Sequence, residues 1–303
     1  MDLIDGLKAF VATAQTGSFT EAAKRLGVSN RLTSKHVAEL ETKLGARLLQ
    51  RTTRKVGLTP SGQQLLNRAP ALLNEFDDLL ANINEEATSL HGTLRIAAPI
   101  TLGEIYIQGL VSRFAAIHPE LSIDLRLSDQ HVDLASDGVD LAFRVGTPNV
   151  STLKARKLFE FTSHLVASPG YLTLKGTPLS PDDLDTHTCI IDTNRRNANR
   201  WVFLQNGQEY AFHPSRNLMV NSANIARDWA AEGCGVALCP NFVLHKQLSE
   251  GKLVQLLDNY DLPMHPLYAV YLEGNMLPRK VRALIDFALE DVQNNDIVTL
   301  PAA

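Results

Sequence analysis

A short run near the amino terminus, Ser29-Asn30-Arg31-Leu32-Thr33-Ser34-Lys35, concentrates side chains whose chemistry is directional hydrogen bonding and cationic attraction. Arg and Lys donate to guanine edges or phosphates, Asn offers adenine a donor and an acceptor, and Ser serves either role. A second group, Arg51-Thr52-Thr53-Arg54-Lys55, places three cations within five residues, a composition suited to phosphate contact as well as to a plain solvated turn. Bond-breaking chemistry has no comparable signal. The chain shows no Gly-rich phosphate loop, no GxSxG elbow and no metal-spaced His/Cys/Asp group, so no catalytic residue, metal or cofactor is expected. Cys189, Cys234 and Cys239 form an odd set without CxxC spacing, which reads as buried free thiols; a redox role for Cys234 or Cys239 is the alternative.

Two helices joined by a tight turn would position the first group. Ser18 followed three residues later by Glu21 is a capping box opening a helix through Ala22, Ala23 and Leu26. Gly27 stands where a helix needs a left-handed residue, Val28 could plug the corner, and Ser29 caps the next helix. At about 100° per residue, Thr33, Val37, Leu40 and Leu44 share a narrow inward arc, with Arg31, Lys35 and Thr42 nearly opposite. A polar outer face alone fits any solvated helix. The short Gly-containing turn, with polar side chains at the helix start, favours reading of DNA in the major groove.

The segment resembles the winged helix-turn-helix of LysR-type transcriptional regulators, in the pattern Ala22, Ala23, Leu26, Gly27, Val28, Ser29, Ser34, Lys35, Leu40 and Glu41. The resemblance implies that Ser29, Asn30, Arg31, Leu32, Ser34 and Lys35 face bases or phosphates, and that Arg51, Thr52, Arg54 and Lys55 belong to a wing holding the backbone. Leu32 and Thr33 depart from the family's small and aliphatic residues. Leu32 could touch a thymine methyl, so the base sequence read by the family does not transfer.

Before this pair, Leu3, Leu7, Phe10, Val11 and Ala14 recur at helical spacing, giving a supporting helix that ends near Gly17. After the basic hairpin, Thr59-Pro60 starts a helix, and Leu65, Ala69, Leu72, Phe76, Leu79, Ile83 and Ala87 step by fours and threes. Run to Thr88, this helix would be on the order of 40 Å long. Pro70 should kink it. Such a stripe finds little cover on a monomer, which points to dimerisation, the use the family makes of the equivalent helix.

From Gly92 the texture alternates between strands and helices. TLRIAA, a helix from about Leu102 to Ile117, LSIDLRL, a short helix near Val132 to Ser136, and VDLAFRVG compose a βαβαβ unit. HLVAS, TCIID, LMV and VALCP follow, with a helix from Ala223 to Glu232. The resemblance returns the last strand and helix to the first unit. The fold class is therefore multidomain: a winged helix-turn-helix DNA-binding domain over 1–59, a linker helix over 60–90, and a two-lobed α/β effector domain like a periplasmic binding protein over 92–303. Lobe I would span about 92–161 and 268–303, and lobe II about 162–267.

Open α/β sheets bind ligands beyond the carboxyl ends of their strands. Pro99, Ile100 and Thr101 lie there, at a helix start able to receive an anionic group; Thr101 is equally readable as a plain N-cap. Asn221 and Ser222 head the other lobe's helix with the same two readings. Arg144 could clamp a carboxylate or pair with Asp140. The loop with Arg195, Arg196 and Arg200 reads as solvated and ranks lower.

The charge is divided along the chain. The first 60 residues hold ten Lys and Arg against five Asp and Glu, and the remaining 243 hold nineteen against twenty-eight. A basic head on an acidic body suggests nucleic acid as partner. The amino terminus does not read as a signal peptide, and no run approaches the roughly 18 apolar residues of a membrane span. A cytoplasmic regulator is expected, with promoter DNA, an effector of anionic character, further copies of itself as homodimer or homotetramer, and RNA polymerase as partners. A solute-binding protein with an incidental head, an enzyme and a sequence-indifferent architectural DNA binder are the competing classes. The first lacks an export signal, the second a motif, and the third has no use for a two-lobed cleft.

Overall fold

The computed structural model describes residues 2–51, 56–83, 89–130, 132–147, 153–215, 218–273 and 277–294. Three helices open the chain: α1 (Leu3–Thr16), α2 (Phe19–Leu26) and α3 (Asn30–Leu44). Leu7, Phe10 and Val11 of α1 meet Val37 and Leu40 of α3 in one buried cluster. The strands β1 (Leu49–Arg51) and β2 (Val56–Leu58) pair antiparallel, and Leu48 and Leu49 join the same core. Leu44 is 48% exposed and leaves the inward arc that Thr33, Val37 and Leu40 occupy. Val28 is 37% exposed, so it covers the corner between α2 and α3 only in part.

Capping chemistry explains the helix starts. The Ser18 hydroxyl accepts the Glu21 N–H at 3.4 Å, but the Glu21 carboxylate pairs with Lys24 at 2.8 Å instead of reaching back. The Ser18 N–H goes to the Thr16 hydroxyl, so only half of the expected capping box forms. Gly27, with φ of 68°, closes α2: its N–H bonds the Lys24 carbonyl and that of Val28 the Ala23 carbonyl.

The linker is two helices, α4 (Pro60–Leu66) and α5 (Ala69–Ile83), where one kinked helix was expected. Pro70 has no N–H for the Leu66 carbonyl, and the chain takes a tighter turn in which the Arg68 N–H bonds the Leu65 carbonyl. Thr59 caps α4 as expected, accepting the Gly62 N–H at 3.0 Å. Along α5, Leu72, Leu79 and Leu80 are 48–56% exposed, while Ala69 and Leu73 are buried against the head.

The body begins with β3 (Gly92–Ala98), followed by α6 (Ile100–Leu102), a π-helical turn (Gly103–Ile107) and α7 (Gln108–Ile117). β4 (Leu121–Leu127), β5 (Leu141–Val145) and β6 (Leu153–Phe161) follow. Residues 134–138 form a tight turn where a short helix was expected. Its shape is set by Asp133, whose carboxylate accepts the Ala135 and Ser136 N–H groups at 3.0 Å each.

After Thr162 the chain enters a second sheet: β7 (Ser163–Ala167), α8 (Pro169–Lys175), β8 (Cys189–Asp192), the hairpin β9 (Trp201–Gln205) and β10 (Gln208–Phe212), β11 (Leu218–Val220), α9 (Ala223–Ala231), β12 (Val236–Pro240), α10 (His245–Ser249) and β13 (Val254–Leu256). β14 (His265–Leu272) then returns to the first sheet, ahead of the expected 268, and α11 (Arg279–Asn294) covers it. The orders are β4-β3-β5-β14-β6 and β11-β8-β12-β7-β13.

Both sheets are mixed. β3 runs parallel to β4 and β5, whereas β14 is antiparallel to β5 and β6; in the second sheet β7 opposes β12 and β13. The strands that run against the others, β14 and β7, adjoin the two crossings between lobes.

Candidate DNA-reading surface and effector cleft

Ser29 starts α3 by accepting the Leu32 N–H at 3.2 Å, which fixes the first turn of the helix that carries the polar run. Asn30, Arg31, Leu32 and Lys35 are exposed, and Ser34 is half-buried. Asn30 donates its side-chain amide to the Thr20 hydroxyl at 3.2 Å, tying the start of α3 to α2. Lys35 lies 3.8 Å from Glu39, a loose exposed pair that leaves its ammonium accessible to solvent. Thr33, the departure on the inner face, is fully buried with its hydroxyl donated to the Ser29 carbonyl at 3.1 Å. Its polarity is thereby satisfied.

The wing is anchored to the same helix by one carboxylate. Glu41 accepts the Leu48 N–H at 2.7 Å and the Leu49 N–H at 3.0 Å. The side chain of Arg51, together with Thr52, Arg54 and Lys55, lies outside the described residues.

Between the two sheets lies a cavity of about 440 Å³, with Pro99, Thr101 and Arg144 on one side and Ser163, Asp192 and Arg195 on the other. Ile100, Asn221 and Ser222 are not among its lining residues. Ile100 turns 39% of its side chain outward, and its N–H is taken at 3.0 Å by Asp129, so a carboxylate of the protein already occupies part of this helix start. The Asn221 carbonyl accepts from Asn194 at 2.6 Å. Ser222 caps α9 through the Ile225 N–H, its plain structural role.

Arg195, ranked low from the sequence, turns out to be built into the cleft. Its Nη1 donates to the Ser163 hydroxyl at 2.9 Å and to the Leu238 carbonyl at 3.3 Å. Burial holds its guanidinium below arginine's ordinary value, with Cys239 and Asp192 opposing that shift. Asp192 is itself pushed above the usual carboxylate range by burial, against the Asn194 N–H and Arg195. Across the cavity Arg144 donates to the Val132 carbonyl, and burial likewise lowers its value, offset by Asp133. The signal that could have found Arg195 is positional: it comes three residues after Asp192, the carboxyl end of a strand, where open sheets hold ligands.

Cys239 is buried beside Arg195, and burial pushes its thiol up to about 12, away from the reactive thiolate. Cys189 is raised to about 12 for the same reason, and Cys234 is exposed. Among the described residues no group of His, Cys, Asp and Glu could hold a metal ion, and no helix is long and apolar enough to cross a membrane.

A helix-turn-helix head joined to a two-lobed body with a cleft between its sheets defines a class: transcription factors that carry their own ligand-sensing domain. Residues 4–63 match the model of the bacterial regulatory helix-turn-helix proteins of the LysR family, and residues 87–293 match the LysR substrate-binding domain. The chain belongs to the LysR-type transcriptional regulators. It is 35% identical to an HTH-type transcriptional regulator of Haemophilus influenzae, over 94% of this chain and 99% of that one. It is 34% identical to the regulator PtxR of Pseudomonas aeruginosa, over 93% and 91%. The solved structure of CrgA, a LysR-type regulator from Neisseria meningitidis, superposes with a TM-score of 0.62 at 31% identity, covering 95% of this chain and 98% of that one.

Proposed function

We propose that this regulator reads promoter DNA with the exposed start of α3 and reports on a small anionic metabolite held between its lobes. The observation that carries the effector class is the pair of arginines, Arg144 and Arg195, brought to one cavity from different lobes. Asp129 and Asp192 also line that cavity, yet each carboxylate already accepts a backbone N–H, from Ile100 and Asn194 respectively. Among the described residues Arg195 bonds through one of its two terminal nitrogens, and a guanidinium carries five donors, so it can still clamp a carboxylate. An occupant touching both arginines favours the closed arrangement of lobes, and the equilibrium between arrangements is what ligand binding can bias.

In this reading Asn30, Arg31, Leu32 and Lys35 meet bases and phosphates, the wing cations hold the backbone, and residues 60–90 pair two chains through the exposed leucines of α5. Residues 1–59 then form the DNA-binding domain, with the sensor from 92 onward divided into the two lobes at the crossings. The protein works by binding, in the cytoplasm where its DNA lies, and presents a bent or unbent promoter to RNA polymerase.

The test is recovery of genomic fragments bound by the full chain, followed by affinity measurements at about 150 mM salt. A recovered promoter should bind roughly 10³-fold or more tighter than random DNA. Equal affinities would remove the sequence-reading function.

A further inference from the structure

Gln15, near the end of α1 in the head, donates its side-chain amide to the carbonyl of Ala135 in lobe I at 3.1 Å. The amide is aimed by Arg25, whose Nη1 donates to Gln15 Oε1 at 2.8 Å. The receiving turn is shaped for this approach: Gly138, with φ of 66°, would carry a Cβ 2.7 Å from Gln15 Oε1. Ala135 belongs to the head's own buried cluster, although it lies in the sensor sequence.

The opposite end of the same turn faces the effector cleft. Val132, which lines the cavity, gives its carbonyl to Arg144. Between these ends the turn is stiff: Asp133 holds two N–H groups, Asp137 accepts the Asp133 N–H at 2.9 Å, and the Val139 N–H bonds the Leu134 carbonyl at 2.9 Å. Leu134 and Val139 are buried against Ala97 and Ala142 of the sheet, which seats the middle of the turn while its two ends are held by Arg144 and Gln15. The head face is less tightly filled. A cavity of about 190 Å³ remains there, lined by Gln15, Arg25, Arg95, Gly138 and Tyr271, which leaves the head room to shift.

We infer that residues 132–139 form a rigid coupling element between the cleft and the chain's own DNA-binding head, with Arg144 gripping one end and Gln15 the other. Resting on the effector reading of the cleft, the inference assigns its route of action. An anion that draws Arg144 from the Val132 carbonyl releases the turn and loosens the seat of Gln15, changing the angle of the head. Gln15 and Arg25 are positioning residues here, remote from the face of α3 that reads DNA.

Hydrogen exchange on the full chain, without DNA or ligand, tests this. Gln15→Ala and Arg144→Gln should each speed exchange at Ala135, Ser136 and Val139 about tenfold, leaving β8 and β12 unchanged. Gln15→Glu, which keeps the shape of the side chain but cannot donate to the Ala135 carbonyl, should act like Gln15→Ala and serves if that variant folds poorly. In the double variant the effects should be non-additive by more than threefold, since separate sites add within about 0.5 kcal/mol, roughly twofold. Additive effects, or a turn indifferent to Gln15→Ala and Gln15→Glu, would overturn the coupling. Because the readout uses neither DNA nor metabolite, the coupling can stand if no effector is found, and can fail while effector binding stands.

Discussion

Asp129 of the first lobe accepts the side-chain amide of Asn194 from the second at 2.8 Å, while its other oxygen takes the Ile100 N–H at 3.0 Å. One carboxylate therefore clasps the lobes and caps the helix that lines the cleft. Asn194→Ala removes the clasp together with the amide's bond to the Asn221 carbonyl; the site is exposed, so denaturation should show a loss below about 1 kcal/mol. Asp129→Ala also strips the cap and should cost more, about 1–2 kcal/mol. The reverse order in urea titrations would contradict the double role.

The arginine pair makes a sharper prediction. In thermal shift measurements with carboxylate metabolites encoded near the bound promoter, Arg195→Gln should abolish ligand-induced stabilisation. Arg195→Lys should not restore it, because a point charge cannot reproduce a planar fork already anchored on Ser163 and Leu238. Thr101→Val should also remove the stabilisation, Thr101 lining the same cavity. Unchanged shifts in either variant would strike that residue from the site.

How far the sequence led depends on whether a signal was local. The head was legible because its determinants are local: Ser18, Ser29 and Thr59 cap helices from within a turn, and Gly27 ends one. β6 is not legible because its first half, Leu153 to Lys157, is a charged sheet edge that mimics a loop. The hairpin β9–β10 carries its signal in Asn206-Gly207, both at positive φ. Arg195 could not be ranked by composition, since a buried and a solvated arginine read alike until the second sheet brings Ser163 and Leu238 beside one of them. The coupling turn is hidden for the same reason: Gln15 and Ala135 are 120 residues apart.

Glu41 fits the family motif, but its local job is to hold the wing. Its Oε1 receives two backbone N–H groups from Leu48 and Leu49 in a part-buried site. Glu41→Ala should destabilise the head by about 2–3 kcal/mol, since two donors lose a charged acceptor. Glu41→Gln keeps an acceptor and should cost about 1 kcal/mol. Guanidinium denaturation of the full chain provides the measurement, and equal losses for the two variants would show that charge assistance is not involved.

The cysteines give a pH prediction. With Cys189 and Cys239 raised to about 12 by burial, native protein at pH 8 should yield one reactive thiol, Cys234, and unfolding should release the other two. Above the ordinary thiol range the unfolded chain loses protons that the folded chain keeps, so stability falls as pH rises from about 9 toward 12. Cys189→Ala and Cys239→Ser should each flatten that alkaline limb. Rapid modification of Cys239 in the native state would refute its placement and reopen a redox role.

Leu32 is an apolar side chain, 37% exposed, in the first turn of a helix whose neighbouring surface residues are Asn30, Arg31 and Lys35. A thymine methyl in the major groove is the partner such a side chain would meet on DNA. Replacing thymines of the recovered site with deoxyuridine, one at a time, should weaken wild-type binding at a single position by about 0.8 kcal/mol, roughly fourfold. Leu32→Ala should be insensitive to the same replacement. Lys35→Ala is the control of opposite character: binding should weaken about equally on all sequences, with the salt slope reduced by about 1. A variant at Lys35 that altered preference at one base, or a Leu32 variant that weakened every sequence alike, would exchange the two assignments.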